Sequence, residues 1–352
     1  MRFSKLLLSW YSDNKRDLPW RSTRDPYLIW LSEIIMQQTR IEQGTPYFNR
    51  FATAFPTIKT LANADEQTVL KLWQGLGYYS RARNLHATAT RIMNDFDGNF
   101  PTSYEEIRQL KGIGDYTAAA IASICFDMPY PVMDGNVLRF ISRLYGIVDS
   151  VDRPETKRKI LAITSGEIDH ENPGDFNQAM MEFGAMVCLP ANPDCQNCIF
   201  KDGCVAFLKN RVEDIPARKP KVAVRNRFMH YLVLTMTENG IDYLFMNKRK
   251  KSDIWKNLYD FPLLEGVAGD GAVMDEHAFA GLLNSGSPRF LGVSGLYTHV
   301  LTHQKLHARF YRFHSDSTID LPFILVPLTD VQQFPVPKLI DRYLSENLLT
   351  TG

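Results

Sequence analysis

Along the first 212 or so residues, apolar side chains recur at helical spacing, and the polar residues between them fall where helices begin and end. Asp25 and Pro26 form an N-cap and first-turn pair for a helix through DPYLIWLSEIIMQQ. Ser103 followed by Glu106 has the form of a capping box ahead of EIRQL, and Asp115 is placed to cap TAAAIASICF. Asp134 is placed to cap DGNVLRFISRLY, which Gly146 closes. The opening MRFSKLLLSWYSDN reads as an amphipathic helix. No run of strict alternation interrupts this region, so an all-α domain is expected over residues 1–212.

Beyond it the pattern changes. The stretch ARKPKVAVRNR, Ala217 to Arg227, carries five basic residues and a proline but no acid, and reads as part of a basic linker over 213–226. RFMHYLVLTMT and IDYLFMNKRK then flank Glu238-Asn239-Gly240 as a hairpin. HARFYRFHS and PFILVPLTD read as further strands and VPKLIDRYLSEN as a closing helix. The expectation is a multidomain chain, all-α and then a smaller α+β domain over 227–352.

A length of 352 residues supports two cores, and a formal net charge of +1 leaves any nucleic-acid contact to local patches. No apolar run approaches the roughly 20 residues that cross a bilayer, and no secretion signal opens the chain, so a cytoplasmic protein is expected. Of five cysteines, Cys125 stands alone, whereas Cys188, Cys195, Cys198 and Cys204 fall in CLPANPDCQNCIFKDGC. Four thiolates in so short a segment suit one metal centre, zinc or iron-sulfur, better than disulfides in a reducing compartment. Structural zinc usually shows two close pairs, and only one C-x-x-C is present.

LKGIGDYTAAA, Leu110 to Ala120, has a helix before its glycines and lacks a third glycine, so a dinucleotide fingerprint is excluded on context. Gly112 and Gly114 would instead admit a nucleic-acid phosphate to backbone N–H groups at a helix start. Asp134, in PVMDGNVLRF, would be held ionised at a helix N-terminus.

The hairpin, the following aspartate and the C-x6-C-x2-C-x5-C spacing, in this order, resemble the helix-hairpin-helix base-excision DNA glycosylases of the endonuclease III and MutY type over nearly all of the first 210 residues. The resemblance implies a six-helix barrel over about 26–134 and a cluster subdomain from 1–25 plus 135–212. It also implies one 4Fe-4S cluster on the four cysteines and catalysis by Asp134 on a flipped nucleotide. Tyr116 stands where the endonuclease III branch carries its Schiff-base lysine, and Gly135-Asn136 follows the aspartate as in MutY. LPWRSTRDPYLIWLSEIIMQQT resembles the adenine glycosylase N-terminus. There Glu33 would act as general acid and Trp20, Arg21 and Gln178 would form the adenine pocket, while Asn136 and Tyr116 would orient Asp134 and water.

By the same resemblance Leu76 and Tyr78 of GLGYYSRARNL enter the duplex, and Gln38 and Thr39 fill space near the opposing base. DIWKNLYDFPLLEG resembles a Nudix segment, but no Arg-Glu-x-x-Glu-Glu cluster follows, so this domain would read 8-oxoguanine rather than hydrolyse a diphosphate. Its recognition loop would be Leu301-Thr302-His303, with leucine where the family often has phenylalanine. The implied protein is a monomeric, monofunctional adenine glycosylase acting on duplex DNA with A:8-oxoguanine or A:G mispairs, with no membrane partner. An endonuclease III-like lyase, a silent mismatch binder and a Nudix hydrolase are the rival readings.

Overall fold

The computed structural model describes residues 3–217, 223–250, 253–266, 279–283 and 288–349. Arg218, Lys219 and Lys221 of the expected linker, and the positions just after the Nudix-like segment, lie outside them.

The helical part runs α1 (Phe3–Asn14), α2 (Pro26–Met36), α3 (Ile41–Ala54), α4 (Ile58–Asn63), α5 (Glu66–Leu72), α6 (Ser80–Asp95), α7 (Tyr104–Arg108), α8 (Asp115–Phe126), α9 (Gly135–Tyr145), α10 (Pro154–Glu167), α11 (Pro173–Met186) and α12 (Val205–Leu208). The α+β part adds β1 (Arg225–Glu238), β2 (Ile241–Lys248), β3 (Tyr259–Asp260), β4 (Leu263–Glu265), α13 (Ala280–Leu283), β5 (Arg289–Val293), β6 (Tyr297–Val300), β7 (Gln304–Ser315), β8 (Ile324–Pro327) and α14 (Lys338–Asn347). The chain packs as two compact units, Met1–Ala64 with Asn84–Pro220, and Asp65–Arg83 with Lys221–Gly352. The short segment Asp65–Arg83, holding α5 and the start of α6, therefore belongs with the α+β unit.

Most of the expected caps form. Asp25 accepts the Tyr27 N–H at 2.9 Å ahead of Pro26, Ser103 accepts from the Glu106 backbone, and Asp134 accepts the Val137 N–H at 2.7 Å. Gly146, in the left-handed region, ends α9. Asp115 departs from expectation. Gly114 is the N-cap of α8 with extended backbone, and Asp115 is the first helical residue, ion-paired to Arg108.

In the first unit α11 packs on α1, α8 and α9, and α2 on α3 and α8. Two glycines set these distances. A methyl group on Gly174 would lie 2.9 Å from the Ile124 Cα, and one on Gly184 would lie 2.8 Å from the Asn136 carbonyl oxygen. Backbones therefore touch where α11 crosses α8 and α9, and Asn136 is fixed at the start of α9.

Among the described residues of the second unit eight strands form one mixed sheet with the path β3-β2-β1-β7-β5; β4 also pairs with β1, β6 with β7 and β8 with β2. β1 and β7 run parallel from Arg225 opposite Gln304 to Met236 opposite Ser315. The β1–β2 hairpin turns on Asn239-Gly240, both at positive φ, as the two-residue turn requires. Leu232, Leu234 and Met236 face a core with Phe245, Tyr311 and Phe313. On the opposite face Tyr231 stacks on Phe310, which stacks on Tyr343 of α14 at 3.8 Å. β1 is buried on both faces, which explains its long apolar run.

Candidate active site and metal centre

The first unit gathers Glu33, Tyr116, Asp134 and Asn136 from the turns of α2, α8 and α9. Each is half-buried, with an edge open to solvent. Burial pushes the Glu33 carboxyl up to about 7; a hydrogen bond from the Tyr116 phenol opposes the rise, and the nearby Asp134 charge adds to it. The same surroundings hold the Tyr116 phenol far above its ordinary range, so it stays a donor. Tyr116 also reaches the Met181 sulfur at 3.1 Å. The phenol is thus hydrogen-bonded to Glu33 and also feels the Asp134 charge.

Asp134 is fixed on both oxygens. Oδ1 accepts the Val137 N–H, and Oδ2 accepts from Asn136 Nδ2 at 2.8 Å. Burial raises its pKa; these hydrogen bonds and the Arg139 charge pull the other way. Arg139 in turn donates to Asn136 Oδ1 at 3.0 Å and to the Cys188 carbonyl at 2.8 Å. Two carboxyls therefore lie within reach of each other's charge, both raised by burial, and Asp134 is held on both oxygens by hydrogen bonds.

Elsewhere in the same unit, Trp20 lies edge-on to Phe48 with ring centroids 5.2 Å apart, and Gln178 Oε1 accepts the Tyr11 hydroxyl at 3.3 Å. Arg21 does not present an open fork. Nη1 and Nη2 bond Glu182 at 2.8 and 2.7 Å, and Arg16 bonds the same carboxylate at 2.6 and 2.9 Å. Burial alone would raise Glu182, which is 1% exposed, but the two guanidiniums bring it down to about 2. Sequence reasoning passed over Glu182 and Arg16. The signal was an acid in the apolar run QAMMEFGAM, four residues after Gln178 on the same helical face.

The turn glycines divide their roles. Gly112 is at φ +84°, and a Cβ there would strike Asn84 Cβ at 2.9 Å, so the turn requires glycine at this position. Gly114 and Gly135 have nothing within 4 Å of a Cβ position, so their backbone is open to close approach there. Gln38, at φ +56°, and Thr39, bonded to the Gln37 carbonyl, follow the end of α2.

Cys188, Cys195, Cys198 and Cys204 are free, half-buried thiols lining one cavity with Phe140 and Phe200. Arg143 donates to Cys188 Sγ at 3.5 Å and the Phe200 N–H to Cys198 Sγ at 3.4 Å. Among the described residues no three ligand side chains converge on a single-ion position. Four thiols on one cavity form a donor set that suits either a zinc ion or an iron-sulfur cluster.

In the second unit the β6–β7 loop presents Leu301, Thr302 and His303 to a cavity of about 480 Å³ that Tyr78 and Trp255 also line. The Tyr78 hydroxyl is hydrogen-bonded to Thr302 Oγ1. Tyr78 is 45% exposed, whereas Leu76, expected to enter the duplex beside it, is 6% exposed. Tyr78, Thr302 and His303 are exposed side chains of this cavity.

Residues 31–165 match the family described as HhH-GPD superfamily base excision DNA repair protein, and residues 231–346 match the NUDIX domain. The adenine DNA glycosylase of Buchnera aphidicola subsp. Acyrthosiphon pisum is 37% identical over 261 residues, 74% of this chain and 73% of that protein. That of Mus musculus is 41% identical over 214 residues, 58% of this chain and 42% of the mouse protein. Among solved structures, a thermostable thymine-DNA glycosylase superposes with a TM-score of 0.54 at 26% identity, over 59% of this chain and 95% of its own. With such identity across most of the Buchnera protein, and both domains in order, this chain belongs to the adenine DNA glycosylase family.

Proposed function

We propose that the protein hydrolyses the N-glycosidic bond of adenine mispaired with 8-oxoguanine, or with guanine, in duplex DNA, with little or no strand-cleaving lyase action. The observation that carries this is the pairing of Glu33, poised near pH 7, with a braced Asp134. Glu33 protonates a ring nitrogen of the flipped adenine, so that the electron pair of the breaking C–N bond leaves on a neutral base. Asp134 stabilises the oxocarbenium-like sugar until water adds, and Asn136 holds its Oδ2 in place. Tyr116 holds Glu33 and has no amine with which to form an imine, which favours hydrolysis over strand cleavage.

The pocket for the base is drawn from Trp20, Gln178 and the Arg21–Glu182–Arg16 clamp. Gly114 and Gly135 offer N–H groups to backbone phosphates, and Gln38 and Thr39 meet the opposing base. Cys188, Cys195, Cys198 and Cys204 would hold one 4Fe-4S cluster, which when bound cross-links the loop and leaves the hydrolytic chemistry to the carboxylates. Tyr78, Leu301, Thr302 and His303 would read 8-oxoguanine, with the Thr302 hydroxyl able to donate or accept.

Duplexes pairing adenine with 8-oxoguanine, guanine or thymine test the whole reading. Strand breakage only after hot alkali, strongest opposite 8-oxoguanine, is expected. Breakage before alkali, or none on any duplex, would refute it.

A further inference from the structure

We propose that Arg81 is a positioning residue for the 8-oxoguanine reader, holding Tyr78 in the backbone and ring orientation in which its hydroxyl meets Thr302. The inference rests on the reading of Tyr78 given above and adds a residue to it.

The loop before α6 is forced. Gly75, Gly77 and Tyr78 all have positive φ, at +94°, +82° and +49°. A bulky residue in the left-handed region persists only where its surroundings hold it there. Two donors converge on the carbonyl just before Tyr78. Trp73 Nε1 donates to the Gly77 oxygen at 3.0 Å, and Arg81 Nη2 donates to it at 3.3 Å. The peptide plane that sets the Tyr78 φ is thereby pinned from two sides.

Arg81 also acts on the ring. Its guanidinium carbon lies 5.1 Å from the Trp73 ring centre and 5.6 Å from that of Tyr78, within cation–π range of both. It is 9% exposed, and burial lowers its pKa to about 10, so it remains charged at neutral pH. The buried cation lends an otherwise exposed tyrosine a fixed wall. The far end of that tyrosine is then tied to Thr302.

The consequence is a split between mispairs. Losing the guanidinium frees Tyr78 and weakens the contact that reads the oxidised base, while Glu33 and Asp134 are untouched. Single-turnover excision from A:8-oxoguanine and A:G duplexes by Arg81→Met, Tyr78→Ala and the double variant reads this. Arg81→Met is expected to cut the preference for A:8-oxoguanine about 10-fold. Tyr78→Ala is expected to cut it at least as much, and the double variant no further. Arg81→Lys, which keeps the charge, should recover most of it. If Arg81→Met does not fold, Trp73→Phe removes the other donor to the Gly77 carbonyl and should lower the same preference.

Equal loss on both mispairs, or full additivity with Tyr78→Ala, overturns the positioning role and leaves the reading of Tyr78 standing. An unchanged preference in Tyr78→Ala overturns that reading and the inference with it.

Discussion

Glu33 ties activity and stability together in opposite directions. If it is the general acid, only its protonated form works. With its carboxyl raised to about 7, activity is full below that pH and falls as pH rises through it. Between pH 6 and pH 8 the protonated fraction drops roughly 10-fold, as for any single acid centred near 7. The stability sign follows from the same shift. A carboxyl raised by burial prefers its proton in the folded state, so folding is penalised once pH exceeds the unfolded value of 4.5. The penalty grows until pH passes the folded value near 7. Fully expressed it is about 3 kcal/mol, and about 1–2 kcal/mol once the solvent at the open edge of Glu33 is allowed for.

Glu33→Gln keeps the shape and removes the charge, so it should abolish excision while raising the melting temperature at pH 8 and leaving it nearly unchanged at pH 4. Tyr116→Phe removes the hydrogen bond that favours the carboxylate and should move the descending limb to higher pH. Single-turnover excision from pH 5.5 to 9, with thermal melts of the same proteins, measures both. A rate that is flat or rises with pH, or a Glu33→Gln protein less stable at pH 8, would refute the reasoning.

Further tests fall on Glu182, Tyr116 and Cys198. Glu182→Ala strands Arg16 and Arg21 without their shared partner and should cost about 3–5 kcal/mol in urea unfolding. Because the Glu182 carboxyl is lowered to about 2, its contribution is present above the ordinary carboxylate range and should fade in the wild type as pH falls from about 4.5 toward 2. Tyr116→Lys places an amine at the active site and should create a borohydride-trappable covalent complex on the mispaired duplex; no trapping would separate this position from the imine chemistry. Cys198→Ala should lower bound iron and visible absorbance in the purified protein, and an unchanged iron content would remove the cluster assignment from this thiol.

What the sequence disclosed follows from how local each signal is. Asp25 and Asp134 act on backbone N–H groups two or three residues away, so their caps were legible from the string alone. The β1–β2 hairpin, fixed by Asn239-Gly240, was equally local. Glu182 was not, because Arg16 and Arg21 lie more than 160 residues away and meet it only when α1 and α11 pack together. Asp115 misled for a related reason. It has the right type for an N-cap, but the extended Gly114 takes that position and leaves the carboxylate to Arg108. Tyr116 shows the limit most clearly, since its place in the chain does not name its partner. That partner is Glu33, from α2 across the packed α8 interface, which Gln37 bonded to Thr117 helps to hold in register. The identity of a catalytic group can be read from neighbours in sequence, whereas its working pKa is set by neighbours in space. For this protein the pH-dependence of excision is therefore the more searching test of the fold.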